Sequence, residues 1–207
     1  MKKSIFTVFL VILIDQLSKI YVKTNFSYGE ELKVFNWFRV YFIENNGMAW
    51  GTEFGGDTGK LFLTIFRIIA IFVLSWWLYS SVKKNLHPLF LLSISLILGG
   101  AVGNVIDSMF YGLIFNESTT DQIATLFHEK PYGNLFFGKV VDMFYFPIWQ
   151  GTLPDWIPFK GGSYFTFFNA IFNIADAAIT IGAAMLIFLN KNSKKEVKPT
   201  VIESINQ

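Results

Sequence analysis

Four membrane-spanning helices, with a small β-rich region and a long irregular loop on the outer face, form the fold class that this sequence predicts. Three observations predict it. The chain of 207 residues is 53% hydrophobic with 24 Phe, too apolar for an ordinary soluble domain. Four segments reach the ~20 mostly apolar residues that a spanning helix needs. Basic residues cluster on one side of those segments.

The spans are expected near residues 4–22, 60–82, 87–114 and 164–189. The first follows Met1-Lys2-Lys3 and resembles a signal peptide at a glance. No small-residue cleavage site follows it, so it reads as a retained helix. Lys2 and Lys3, the Lys83-Lys84 turn, and Lys191, Lys194, Lys195 and Lys198 all fall on one side of a four-span arrangement. That side is the cytoplasm by the positive-inside rule, so both termini are expected there. The loops 23–59 and 115–163 each hold three basic and five acidic residues and face outward.

Residues of about 25–58 form the expected outer β region. Lys33 to Ile43 is aromatic and β-branched, and Gly29 and Asn45-Asn46-Gly47 flank it. That pattern reads as strands with turns. The outer loop, about 115–163, is rich in Pro and Gly, and its run Val140-Val141-Asp142-Met143-Phe144 is strand-like. Residues 1–190 read as one integral-membrane domain, and 191–207 as a disordered cytoplasmic tail.

Composition removes several function classes. There is no Cys, hence no disulfide, thiolate metal site or Cys nucleophile. His87 next to Pro88 reads as a loop–helix junction and His128 as a loop residue, so no metal and no cofactor are expected. A net charge of +2 offers no footprint for nucleic acid.

Ionisable groups inside spans are costly and face a protein interior or a wet cavity. Asn169, Asn173, Asp176 and Thr180 are spaced 4, 3 and 4, one face of a helix. Gly100, Asn104 and Asp107 make a second stripe, and Asp15 with Lys19 a third. At 1.5 Å per residue, Asp107 lies roughly 30 Å from the inner start of its span, and Asp176 roughly 18 Å below the outer start of its own. Both sit toward the outer side. Asp15 and Lys19 read as a structural pair. Gly99 and Gly103 have the small-xxx-small spacing of close helix packing. Arg67 stands alone in the second span and receives no role.

Neither Asp142 nor Asp176 has an obvious basic partner nearby in sequence. Two carboxyl groups meeting in a poorly solvated place share one proton. One then activates water while the other donates to a carbonyl oxygen, an aspartic-protease arrangement.

At this point the motifs together resemble lipoprotein signal peptidase, the signal peptidase II family of bacterial membrane aspartyl proteases. Asp15-Gln16-Leu17-Ser18-Lys19 is similar to its D-Q-x-x-K, and Asn45-Asn46-Gly47-Met48-Ala49-Trp50 to N-x-G-x-A-aromatic. Gly99 to Asp107 is similar to G-G-A-x-G-N-x-x-D, Val140-Val141-Asp142 to V-V-D, and Phe172 to Ile179 to F-N-x-A-D-x-x-I. The resemblance implies that Asp142 and Asp176 are the catalytic dyad. It implies that Asn45, Gly47, Asn104, Asp107 and Asn173 line or brace the site and that Asp15 and Lys19 support it. The implied substrate is a prolipoprotein signal peptide followed by diacylglyceryl-cysteine, cut on the N-terminal side of that cysteine. The resemblance also implies a cytoplasmic (inner) membrane location, contact with membrane lipid, sensitivity to globomycin and a monomer.

The chain departs from the family in three places. The Arg usual after the Asp of the third span is Ser108, with Lys139 or Arg67 as candidate replacements. Inserts occur around 115–138 and 147–163. Met143 replaces the usual Phe. Other readings stay open on the residues alone: a small proton-coupled transporter, a Ser/Lys peptidase using Lys19 with Ser18 or Ser108, or a noncatalytic membrane scaffold.

Overall fold

The computed structural model describes residues 1–47 and 56–196. Met48-Ala49-Trp50 of the second motif and residues 197–207 of the tail lie outside the described residues. Helix α1 (Lys2–Asn25) leads to strands β1 (Glu31–Phe35) and β2 (Phe38–Asn45). Helices α2 (Gly56–Lys83) and α3 (Pro88–Ile106) follow. A π-turn at Asp107–Tyr111 and one last helical turn, α4 (Gly112–Ile114), extend α3. Strands β3 (Val140–Tyr145), β4 (Trp149–Thr152), β5 (Tyr164–Phe167) and β6 (Ile171–Phe172) precede helix α5 (Ile174–Glu196).

Among the described residues, three helical segments are long and apolar enough to cross a membrane: Lys2–Asn25, Gly56–Lys83 and Pro88–Ile114. The apolar part of α5, Ile174–Leu189, is shorter. Central among them is α3, which packs against α1, α2 and α5. His87 caps it, accepting from the Leu89 N–H at 3.3 Å, and Pro88 takes the first turn, where a missing N–H costs nothing. Glycines let its neighbours approach. A Cβ at Gly100 would stand 2.3 Å from the Ala175 carbonyl oxygen in α5, so the helices meet backbone to backbone there. Gly99 faces Val11 of α1 in the same way.

The fourth helix corrects the expected span of 164–189. Tyr164 to Phe172 forms strands, and α5 starts at Ile174 and runs to Glu196. The reason is a cap. Asn173 Oδ1 accepts from the Asp176 N–H at 2.9 Å, and Asp176 Oδ2 accepts from the Asn173 N–H at 3.4 Å. This is the reciprocal geometry of a capping box, which satisfies two otherwise orphaned donors. Asn169 therefore lies outside the helix and instead accepts from the Tyr145 hydroxyl at 3.1 Å. Asp176 sits in the first turn of α5, at the mouth of the bundle and not deep within a span.

The strands cover that mouth. They form an antiparallel sheet ordered β1-β2-β3-β6, with Ile43 opposite Asp142 and Asn45 opposite Val140. Strands β4 and β5 make a separate two-stranded hairpin. Beneath the sheet, Val22, Phe42, Tyr111, Phe115, Val141 and Met143 form a buried core that joins it to the ends of α1 and α3. Met143 is buried in that core.

Candidate active site

Five elements meet at this mouth. Asp142 comes from β3, a strand buried on both faces, with Val141 and Met143 on the face opposite Asp142. Asp176 comes from the capped start of α5, Asn104 from the last turn of α3, Asn45 from the end of β2, and Lys19 from α1.

Asn173 touches both acids. Its side-chain Nδ2 donates to Asp142 Oδ1 at 2.7 Å, while its main-chain N–H and side-chain Oδ1 make the cap with Asp176. Asn45 Nδ2 donates to the other Asp142 oxygen, and Asn104 Nδ2 to Asp176 Oδ1 at 2.8 Å. The side-chain donors on both carboxyl groups are thus amides, which orient them without cancelling charge. Burial pushes the Asp142 carboxyl up to about 7, and the negative charge of Asp176 pushes it the same way.

Behind the acids lies a fully buried ionic cluster. Lys19 Nζ stands 2.9 Å from Asp15 Oδ2, 2.8 Å from Asp107 Oδ2 and 2.8 Å from Asn104 Oδ1. Asp15 is not simply the partner of Lys19: its other oxygen accepts from the Ala175 N–H of α5 at 2.8 Å. Asp107 also accepts from Gln16 Nε2 at 2.8 Å and from the Val141 N–H at 3.4 Å, next to Asp142. The cluster therefore ties α1 and α3 to both chain segments that carry Asp142 and Asp176. Lys19 orients Asn104, and Asn104 orients Asp176.

The Ser/Lys reading fails on geometry. Lys19 is held by three acceptors, Ser18 Oγ donates to the Asp15 carbonyl at 2.8 Å, and Ser108 Oγ to the Asn104 carbonyl at 2.9 Å. No hydrogen bond joins Lys19 to either serine among the described residues.

The turn after β2 is held from α2. Gly47 has φ +85° and its N–H donates to Asn45 Oδ1 at 2.6 Å, an Asx-turn that leaves the Asn45 amide for Asp142. Lys60 Nζ donates to Asn46 Oδ1 at 2.8 Å. Arg67 Nη2 donates to the Gly47 carbonyl and Nη1 to Ser108 Oγ at 3.4 Å. A guanidinium thus stands beside Ser108, where the resemblance implies an arginine. Lys139 instead pairs with Glu117 at 2.6 Å, half in solvent. Sequence reasoning leaves Lys60 without a role and offers Arg67 only as one of two candidate replacements for the family arginine. Their polarity inside a span was the available signal. Gln16 was visible only as part of the D-Q-x-x-K motif. Buried Lys23 ion-pairs with Glu44 and donates to Ser118 Oγ at 2.8 Å, which anchors β2 to α1.

A family model described as signal peptidase (SPase) II matches residues 7–190. The chain belongs to the signal peptidase II family. That family is one of aspartic proteases, so the protein is an aspartic peptidase built on apolar helices. A lipoprotein signal peptidase of Porphyromonas gingivalis is 47% identical over 180 residues, covering 86% of this chain and 78% of the relative. One from Amoebophilus asiaticus is 40% identical over 185 residues, covering 86% and 73%. A solved bacterial membrane enzyme superimposes with a TM-score of 0.59 at 26% identity, covering 92% of this chain and 93% of the other. A second, at 24% identity and TM-score 0.64, covers 98% and 96% and shares the fold.

Proposed function

We propose that the protein cleaves diacylglyceryl-modified prolipoproteins on the N-terminal side of the lipidated cysteine, with Asp142 and Asp176 as the dyad. The observation that carries the reading is Asn173. Its side chain donates to the Asp142 carboxyl and accepts from the Asp176 main-chain N–H at a sheltered mouth, and burial holds the Asp142 proton near neutrality. Asp142 carries the shared proton in the resting enzyme, and Asp176 is the base. Asp176 takes a proton from water, the hydroxyl adds to the scissile carbonyl carbon, and Asp142 gives its proton to the carbonyl oxygen. In the resulting gem-diol the roles reverse. Asp142 recovers a hydroxyl proton, Asp176 delivers its own to the leaving amine nitrogen, and the C–N bond breaks.

Asn45, Asn104 and Asn173 orient the acids. Gly47 shapes the Asn45 turn. Asp15, Lys19 and Asp107 brace the assembly. Arg67 supplies the cation beside Ser108. In this reading α5 is the fourth span, both termini are cytoplasmic, and the monomer works at the outer face of the bacterial cytoplasmic membrane. The signal peptide lies between helices, and its diacylglyceryl chains lie against apolar surface. Globomycin is expected to block the site.

The deciding experiment incubates purified protein with diacylglyceryl-modified and unmodified prolipoprotein, beside Asp142→Asn and Asp176→Asn. Cleavage of only the modified substrate, by only the wild type, is expected. Wild-type turnover by either variant removes that residue from the dyad. The transporter reading predicts proton-driven uptake without cleavage, and no observation favours it.

A further inference from the structure

The β4–β5 hairpin is spliced between β3, which carries Asp142, and β6, which leads into Asp176, yet it joins neither sheet partner. Its main chain is closed on itself. Trp149 pairs with Phe167 and Thr152 with Tyr164. Beyond the strands, the Leu153 N–H donates to the Ser163 carbonyl at 2.9 Å, Gly162 to Leu153 at 3.0 Å, and Gly161 to Ile157 at 2.9 Å. A finger with these polar groups already paired loses little on leaving water.

Gln150 reaches Tyr145 and Arg39, but most of the finger's large side chains are exposed. Trp156 is 80% exposed and Phe159 106%, and Ile148, Tyr164 and Phe167 are exposed beside them. Phe159 holds φ +66°, a conformation that bulky residues rarely adopt. Between Pro147 and Phe168 the only charges are Asp155 and Lys160. The other insert, at the same end of the molecule, differs: it exposes Asp121, Glu129 and Lys130. An uncovered two-stranded sheet with this aromatic surface is unstable in water, whereas Trp and Tyr with apolar neighbours suit the boundary between lipid and water. Lipid is at hand, because the helices of the same chain expose Phe62, Phe72, Trp76 and Ile187.

We propose that this hairpin is a membrane finger, its Trp156–Phe159 tip inserted into the lipid leaflet at the end of the molecule that holds Asp142 and Asp176. The lipid holds the finger from outside while β3 and β6 hold it from within, so the segment joining the two acids is fastened at both ends.

The absence of Cys makes the test direct. Phe159→Cys, Trp156→Cys and, as an aqueous reference, Glu129→Cys are spin-labelled and reconstituted into phosphatidylethanolamine–phosphatidylglycerol vesicles. Power saturation then compares access to oxygen, which concentrates in lipid, with access to a water-soluble nickel chelate. Labels at 156 and 159 are expected to see oxygen and be shielded from nickel, with the ratio several-fold above that at 129. Nickel access equal to that at 129 overturns the proposal. Shielding from both reagents also overturns it, since protein, including a second copy, would then cover the tip. Lys160→Cys reports the same tip if a variant at 156 or 159 fails to fold.

Discussion

Asn173 and Asp176 cap one another at the start of α5, with N–H donors 2.9 and 3.4 Å from the opposing side-chain oxygens. The same Asn173 side chain reaches Asp142 at 2.7 Å. Helix initiation and carboxyl orientation are thus one arrangement. Asn173→Ala removes both parts. Loss of the cap costs about 1 kcal/mol of stability. The larger expected effect is on kcat, with KM little changed, because Asp142 loses an amide donor and the helix turn that presents Asp176 loses its side-chain cap. Thermal unfolding in detergent and steady-state cleavage separate the two.

Asp142→Asn and Asp176→Asn keep side-chain volume. Each is expected to remain folded and to lose about 10²–10⁴-fold or more in kcat, the scale of a lost general acid or base. A noncatalytic scaffold would tolerate both. Single-turnover assays with equal amounts of folded protein read the difference.

The Asp142 carboxyl lies at about 7, raised from 3.8 by burial and by Asp176. If one shared proton is required, kcat falls as pH rises through about 7. The sign for stability is the same. The folded state binds this proton more tightly than the unfolded chain does. The contribution is therefore full below about 3.8 and is lost as pH rises toward about 7. Asp142→Asn should flatten that part of the stability curve. A wild-type rate that climbs steadily from pH 6 to pH 9 contradicts the assignment of the proton to Asp142.

Lys19 sits between Asp15 and Asp107, all three shut away from solvent. Lys19→Met leaves two buried acids without their cation. Breaking such a cluster from one side costs about 3–5 kcal/mol. Poor recovery of folded protein is expected, in contrast to the Asp142 and Asp176 variants. Equal yields for all three would mean that the cluster does not brace the fold.

Arg67 contacts the Gly47 carbonyl and Ser108 Oγ. Arg67→Ala should lower kcat/KM while leaving the fold intact, since Lys60 still holds Asn46. The double exchange Arg67→Ser with Ser108→Arg puts a guanidinium back into the space that Arg67 vacates. Recovery of activity relative to Arg67→Ala is expected, and no recovery would tie the function to α2 alone.

Much of the frame was legible along the chain. Three apolar segments, the His87-Pro88 helix start and the aromatic strands after Gly29 are local patterns, readable from hydropathy, capping and turn chemistry. The start of the fourth helix is not legible, because Tyr164 to Phe172 is a mostly apolar, aromatic run with no period that separates strand from span. The Asn-x-x-Asp spacing of Asn173 and Asp176 fits a helix cap and a mid-helix stripe equally, and local pattern does not choose between them.

By itself, the sequence determined which residues have no reason to sit in lipid: Asp15, Lys19, Asn104, Asp107 and Asp176, with Asp142 close by in the outer loop. Free energy of burial makes such residues conspicuous wherever they fall. Only the tertiary structure decided their company. It made Lys19 common to Asp15, Asp107 and Asn104, set Arg67 against Ser108, and brought Asp142 of β3 to Asn173 at the head of α5. Apart from Asp15 and Lys19, which lie one helical turn apart, those partners are 31 to 88 residues apart. Pairing across such distances follows from how sheet and helices close over one another, which no local spacing encodes.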